Sequence, residues 1–136
     1  MIKISNTLPT IYDDAYLSFL EEKRHVPFSI KRLYFIYSCL PHLDRGHHAH
    51  KKTHQAIFCL QGSFDLFLDD GQTKQTIHID TPNIGAEIPP LVWHEMRNIS
   101  SDAILLVVAS AYYDEKDYLR TYEAFLSYIG KRKKKV

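Results

Sequence analysis

Four of the chain's eight histidines, His47, His48, His50 and His54, fall within eight consecutive positions. Arg45 precedes them, and Lys51 and Lys52 sit among them. Histidine is the side chain whose ordinary pKa lies nearest neutrality, so a cluster of it points to proton transfer or metal binding. In an extended segment side chains alternate faces, which sets His48, His50 and Lys52 on one wall and His47 and Lys51 on the other. Two imidazoles and an ammonium on one wall repel each other unless something anionic or proton-bearing stands in front of them. The expected chemistry is proton transfer or metal binding, with something anionic or proton-bearing in front of the wall.

Strands on either side must hold such a wall. Residues 28–38 (F-S-I-K-R-L-Y-F-I-Y-S) are rich in β-branched and aromatic side chains and read as a strand. Arg32, Tyr34 and Ile36 take one face of it; Lys31, Leu33, Phe35 and Tyr37 take the other. Residues 55–60 and 63–68 read as strands around Gly62, closed by Asp69-Asp70-Gly71, a good hairpin signal. Residues 73–79 and 84–88 follow as strands, and Pro89-Pro90 bends the chain into Leu-Val-Trp93-His94-Glu-Met-Arg97. The apolar run 103–109 suits a strand buried on both faces. Residues 2–20 are ambiguous between short strands and loop. The period then changes: Tyr118, Leu119, Tyr122, Phe125, Leu126 and Ile129 recur at helical spacing, with Asp114 as expected N-cap and Gly130 as expected end. Many short strands and one terminal helix predict an antiparallel barrel or sandwich, whose exposed edges dimerisation would cover.

The totals agree with one globular domain. The chain has 136 residues, 45% of them hydrophobic and 24% charged, with nine tyrosines. Net charge is +1, but unevenly spread. Of 17 basic residues five lie in Lys-Arg-Lys-Lys-Lys at 131–135, which leaves 12 against 16 acidic in the body. A mildly acidic body is a poor grip for nucleic acid, and residues 131–136 read as a basic, disordered tail behind a single domain at 1–130. Two cysteines, Cys39 and Cys59, lie in apolar runs and suit reduced thiols. No signal peptide is visible and no apolar run nears the roughly 20 residues that cross a bilayer, so a soluble cytoplasmic protein without a membrane partner is expected.

Two separated motifs sharpen the reading. His48-x-His50, four residues, Gln55, six residues, Gly62 is followed by Gly85, Pro90, His94, three residues and Asn98. Together they resemble the two motifs of the cupin superfamily, a jelly-roll fold, although the usual metal-binding glutamate is Gln55 here. Five further segments resemble the nucleotide-sugar 3,4-ketoisomerases: F-S-I-K-R (28–32), R-G-x-H-A-H-K-K (45–52), L-x-G-S-x-x-L-x-L-D-D-G (60–71), W-H-E-M (93–96) and Y-Y-D-E-x-D-Y (112–118). The resemblance runs from about residue 17 onward.

That resemblance implies an all-β, cupin-type jelly-roll β-barrel with a C-terminal helix, working as a metal-independent homodimer without cofactor. The implied substrate is dTDP-4-keto-6-deoxy-D-glucose, whose ketone moves from C4 to C3 on the way to a 3-amino-3,6-dideoxyhexose. Such a shift removes the C3 proton, passes through an enediol and reprotonates C4; it needs a base near neutrality and no redox group. By resemblance His48 is the base and His50 the second proton carrier. Tyr37 and Arg97 are the expected donors to the enediolate. Arg32, Arg45 and Lys52 are expected at the diphosphate, and Tyr34 or Trp93 at the thymine. His94 joins the substrate residues, with a structural hydrogen bond as its alternative. Tyr16 and Arg97 resemble the branch that gives the gluco product. His25, His42, His47 and His54 are expected to be solvated bystanders. Two rival readings stand beside this one: a metal-dependent cupin using His48, His50 and His94, and a non-catalytic nucleotide-sugar binder.

Overall fold

The computed structural model describes residues 6–134. Twelve strands and one helix lie among them. In chain order the strands are β1 (Asn6–Thr7), β2 (Thr10–Tyr12), β3 (Tyr16–Ser18), β4 (Arg32–Ile36), β5 (Arg45–His50), β6 (Gln55–Gln61), β7 (Phe64–Asp69), β8 (Lys74–Ile79), β9 (Ile84–Ile88), β10 (Trp93–Arg97), β11 (Ile104–Ala109) and β12 (Tyr118–Leu119); α1 is Tyr122–Lys134. Two five-stranded antiparallel sheets form, ordered β1-β9-β6-β11-β4 and β12-β5-β10-β7-β8, with β2-β3 as a separate hairpin. This is the all-β jelly roll with a C-terminal helix.

Alternation decides which side chains meet between the sheets. Ile57, Cys59, Leu105 and Val107 from the first sheet pack against Phe64, Leu66, Leu68 and Met96 from the second in one buried cluster. The outer face of the first sheet is partly roofed by Leu8, Val26 and Phe28, which pack on Ala56, Phe58 and Val108. Beyond that roof Leu33, Phe35 and Leu60 stay exposed. The outer face of the second sheet is covered by α1, where Phe125 and Tyr122 meet Trp93.

Two boundaries differ from the sequence reading. Asp114 caps a single 3₁₀ turn, Glu115–Asp117, rather than the helix. The chain then extends so that Tyr118 pairs with His50 and Leu119 with Ala49, and only afterwards does Thr121 cap α1 through the Ala124 amide. The helical period had swept two strand residues into the helix. At the other end α1 passes through Gly130 to Lys134, so residues 131–134 are helical rather than tail. Lysine and arginine are strong helix formers and their charge suits the negative helix end, which offsets the glycine's cost of roughly 1 kcal/mol.

Candidate active site

The two faces of β5 are set by an irregularity that simple alternation misses. On β10, His94 pairs with His48 but the next residue, Glu95, pairs with Gly46, so His47 is an extra residue in β5. Gly46 (φ +89°) and His47 (φ +57°) both take the left-handed region that the bulge needs. A Cβ on Gly46 would lie 3.0 Å from the His94 carbonyl oxygen. The consequence is one of facing. Met96 then pairs with Arg45, which puts Arg45 on the inner face with His48 and His50 instead of the outer face with His47. His47 is turned outward, 3.6 Å from Glu95.

A cavity of about 300 Å³ opens in front of this wall, lined by Arg32, Tyr34 and Ile36 of β4, Arg45, Gly46 and His48 of β5, Met96 of β10, and Tyr118 and Arg120. Three imidazoles gather there, His48 in the cavity wall and the buried His50 and His94 beside it. His48 lies 5.0 Å from His50 and 4.4 Å from His94, ring centre to ring centre, and Tyr118 stands 5.0 and 4.5 Å from the first two. Each ring has one nitrogen held from behind. His48 Nδ1 donates to the Gly46 carbonyl (3.0 Å), His94 Nδ1 faces the Val92 carbonyl (3.3 Å), and His50 Nδ1 lies 2.9 Å from Asp117 Oδ2. The Nε2 atoms of His48 and His50 are buried without a protein partner.

Burial drives all three rings toward the neutral form. His48 is pushed down to about 4, by desolvation first, with its neighbours His50, Arg120 and Arg32 adding to it. His50 is also lowered by desolvation, against the pull of Asp117. His94, the most deeply buried, is held well below its ordinary value, by desolvation first and then by His48 and His50. Neutral imidazoles with free Nε2 lone pairs are proton acceptors. Around them Arg32, Arg45 and Arg120 supply three guanidiniums, Arg120 lying 4.0 Å from the Tyr118 ring centre and donating to Glu115.

Of the residues expected from sequence, His48, His50, His94, Arg32, Tyr34 and Arg45 converge here. Tyr34 accepts from Gln55 Nε2 at 2.9 Å, and its burial raises the phenol pKa. Five others lie elsewhere in the chain. Tyr37 follows the outward parity of Leu33 and Phe35 and stacks on Phe35. Arg97 and Trp93 share the outward parity of Glu95: both Arg97 Nε and Nη2 donate to Glu95 Oε1, and Trp93 Nε1 donates to Glu95 Oε2 beneath α1. Lys52 lies past the end of β5, because the Leu91 amide takes the His50 carbonyl and Asp117 draws in the Lys51 and Lys52 amides. Tyr16 sits in the β2–β3 hairpin, 80% exposed, beside Tyr12. His54, expected to be solvated, pairs with Glu87 at 3.2 Å and packs on Phe28.

Asp117, Tyr118 and Arg120 were missed as site residues. The only signal was the Y-Y-D-E-x-D-Y segment, which spacing assigned to a helix start; nothing marked Arg120.

Comparison with known proteins agrees with the fold. Residues 2–130 match the family model FdtA, described as WxcM-like, C-terminal. A curated TDP-4-oxo-6-deoxy-alpha-D-glucose-3,4-oxoisomerase of Aneurinibacillus thermoaerophilus is 46% identical over 129 residues, 95% of this chain and 93% of that protein. A 3,4-ketoisomerase from Helicobacter canadensis superposes with a TM-score of 0.90 at 39% identity, covering 93% of this chain and 96% of the other. The sugar 3,4-ketoisomerase QdtA of Thermoanaerobacterium thermosaccharolyticum, solved in complex with TDP, gives a TM-score of 0.90 at 39% identity over 94% of each chain. The chain belongs to the FdtA family, that of the sugar 3,4-ketoisomerases.

Proposed function

We propose that this isomerase moves the keto group of dTDP-4-keto-6-deoxy-D-glucose from C4 to C3. The observation that carries the reading is the pair of neutral, inward-facing imidazoles, each with a buried and unpartnered Nε2: His48 in the wall of a cavity ringed by arginines, and His50 beside it. His48 lines the cavity and removes the C3 proton as base. His50, on the same strand face, is the second carrier: its bare Nε2 takes the O3 hydroxyl proton and returns it at C4, while His48 passes the C3 proton on to O4. The enediolate between these steps is stabilised by fixed cations and hydroxyls. Arg32 and Arg120 with the Tyr118 and Tyr34 hydroxyls take the place that sequence reading gave to Tyr37 and Arg97. Arg32, Arg45 and Arg120 hold the diphosphate, guanidinium being the better fork for phosphate oxygens. Binding that anion also relieves the repulsion that Arg120 and Arg32 exert on protonated His48, so substrate makes its own base stronger.

The product is a 3-keto sugar for a 3-aminotransferase, of gluco configuration at C4. The uncovered apolar face with Leu33, Phe35 and Leu60 supports a homodimer, which sedimentation tests. The two free cysteines support a reducing, cytoplasmic setting. Incubating the protein with dTDP-4-keto-6-deoxyglucose and following the sugar protons by NMR tests the activity and the C4 configuration together. His48→Asn should abolish the conversion, and unchanged turnover in that variant sinks the assignment. If TDP binds tightly but the wild type does not turn over, the non-catalytic binder takes its place.

A second reading rests on one observation. Nitrogen atoms of His48, His50 and His94 all lie within 4.8 Å of one another, a donor set that suits a divalent ion. The carboxylate that would add charge to such a set is absent, since Gln55 stands at that motif position and its amide is spent on Tyr34. Elemental analysis of purified protein separates the two readings.

A further inference from the structure

We propose that Asp117 is the positioning residue of the isomerase: it fixes His50 as the Nδ1–H tautomer, with its buried Nε2 lone pair left free to take up a proton. The inference rests on the ketoisomerase reading above and names a residue that reading does not need. Asp117 ends the 3₁₀ turn Glu115–Asp117 and grips the exit of β5 from four directions. Its backbone carbonyl accepts from the Lys51 amide at 2.8 Å, and its Oδ1 accepts from the Lys52 amide at 2.7 Å. Its Oδ2 accepts from the Thr53 hydroxyl and meets His50 Nδ1 at 2.9 Å. A carboxylate with this set of donors only accepts, so the proton of a neutral His50 lies on Nδ1 and Nε2 is left bare. Burial raises the Asp117 pKa but those donors outweigh it, and the group stays ionised.

The two catalytic rings are therefore held differently. His48 leans on a neutral backbone carbonyl, whereas His50 leans on a charged side chain 67 residues away in sequence. The second arrangement favours the protonated ring more strongly, because the carboxylate compensates the charge that appears on the His50 imidazole when it takes up the proton it later returns. His50 is 2% exposed, so water cannot take over that role.

The test is Asp117→Asn, which keeps the shape and can still accept from Lys52. Its amide N–H₂ would face His50 Nδ1, which must then accept, and the proton moves to Nε2. We expect kcat to fall by about 10²–10⁴-fold, with TDP affinity changed less than about threefold. Nitrogen-15 NMR of labelled histidine should show His50 protonated at Nδ1 in the wild type and at Nε2 in the variant. Thr53→Val removes a bond to the same carboxylate oxygen and leaves His50 alone. It should lower thermal stability while holding kcat within about threefold. A wild-type His50 protonated at Nε2, or an Asp117→Asn enzyme with undiminished kcat, overturns the proposal. So does an equal loss of kcat in Thr53→Val, since that marks a structural role only. If the wild type does not isomerise the dTDP sugar, the ketoisomerase reading fails, while the NMR arm still decides the tautomer.

Discussion

Acid should unfold this protein through its own active site. His48 is held neutral in the folded chain with its pKa pushed from 6.5 to about 4, whereas the unfolded chain takes up that proton near 6.5. Between those values the unfolded state binds more protons, so stability is fully present above about pH 6.5 and is lost as pH falls toward 4. Moving from pH 7.5 to pH 5 should cost about 2 kcal/mol from His48 alone, a large share of the roughly 5–15 kcal/mol typical of a domain. His50 and His94 shift the same way and add to it. His78 works in the opposite sense, since Asp65 raises its pKa. Comparing wild type with His48→Asn cancels His78 and every carboxylate, leaving the His48 contribution as a difference in slope. Urea unfolding at half-unit steps from pH 7.5 to 5 reads it directly. Stability in His48→Asn should fall less steeply than in wild type, by about 2 kcal/mol across the range. Parallel lines for the two proteins would refute the claim that His48 is buried neutral.

Three further outcomes follow from the geometry. Gly46→Ala places a Cβ 3.0 Å from the His94 carbonyl in a backbone region that costs alanine about 1–2 kcal/mol; unfolding free energy should drop by that order, and TDP affinity should drop with it as Arg45 loses its inward facing. Arg120→Ala removes one of three cavity cations and leaves Glu115 unneutralised at the rim. TDP binding measured by calorimetry should weaken about 10–100-fold and depend less on salt. Gly130→Ala should raise stability by about 0.5–1 kcal/mol, because the residue lies inside α1 with nothing within 4 Å of an added Cβ.

The strands were legible because their side chains obey period two over a core that rejects the wrong parity. β9 came out at its expected limits, and β6, β7, β8 and β11 within a residue or so. The same parity already set Tyr37 opposite Arg32 and Tyr34, and assigning Tyr37 to the site went against it. What parity could not foresee is the bulge at Gly46–His47, since a left-handed histidine leaves no mark in composition. That one extra residue is why Arg45 faces inward although counting back from His48 turns it away. Nor could local pattern find Asp117, Tyr118 and Arg120. Their places depend on pairing between residues 118–119 and 49–50, a long-range contact that overrode a helical period of apolar side chains.

The charge pattern of the site suits an anionic occupant. Three arginines line a cavity whose wall includes His48, with His50 and His94 buried beside it, and the carboxylates nearby are already engaged, Glu115 by Arg120 and Asp117 by His50, Thr53 and Lys52. Such a cavity spends folding energy to keep imidazoles neutral beside cations, and a diphosphate supplies the missing countercharge. Under the proposed reading, the same ionic contact that holds substrate would raise the basicity of the ring that acts on it. An acid limb that lies higher in pH for kcat than for kcat/KM is the kinetic signature of that coupling, because the first reports the occupied cavity and the second the empty one. Coincident limbs would separate binding from base strength, and the arginines would then serve affinity alone.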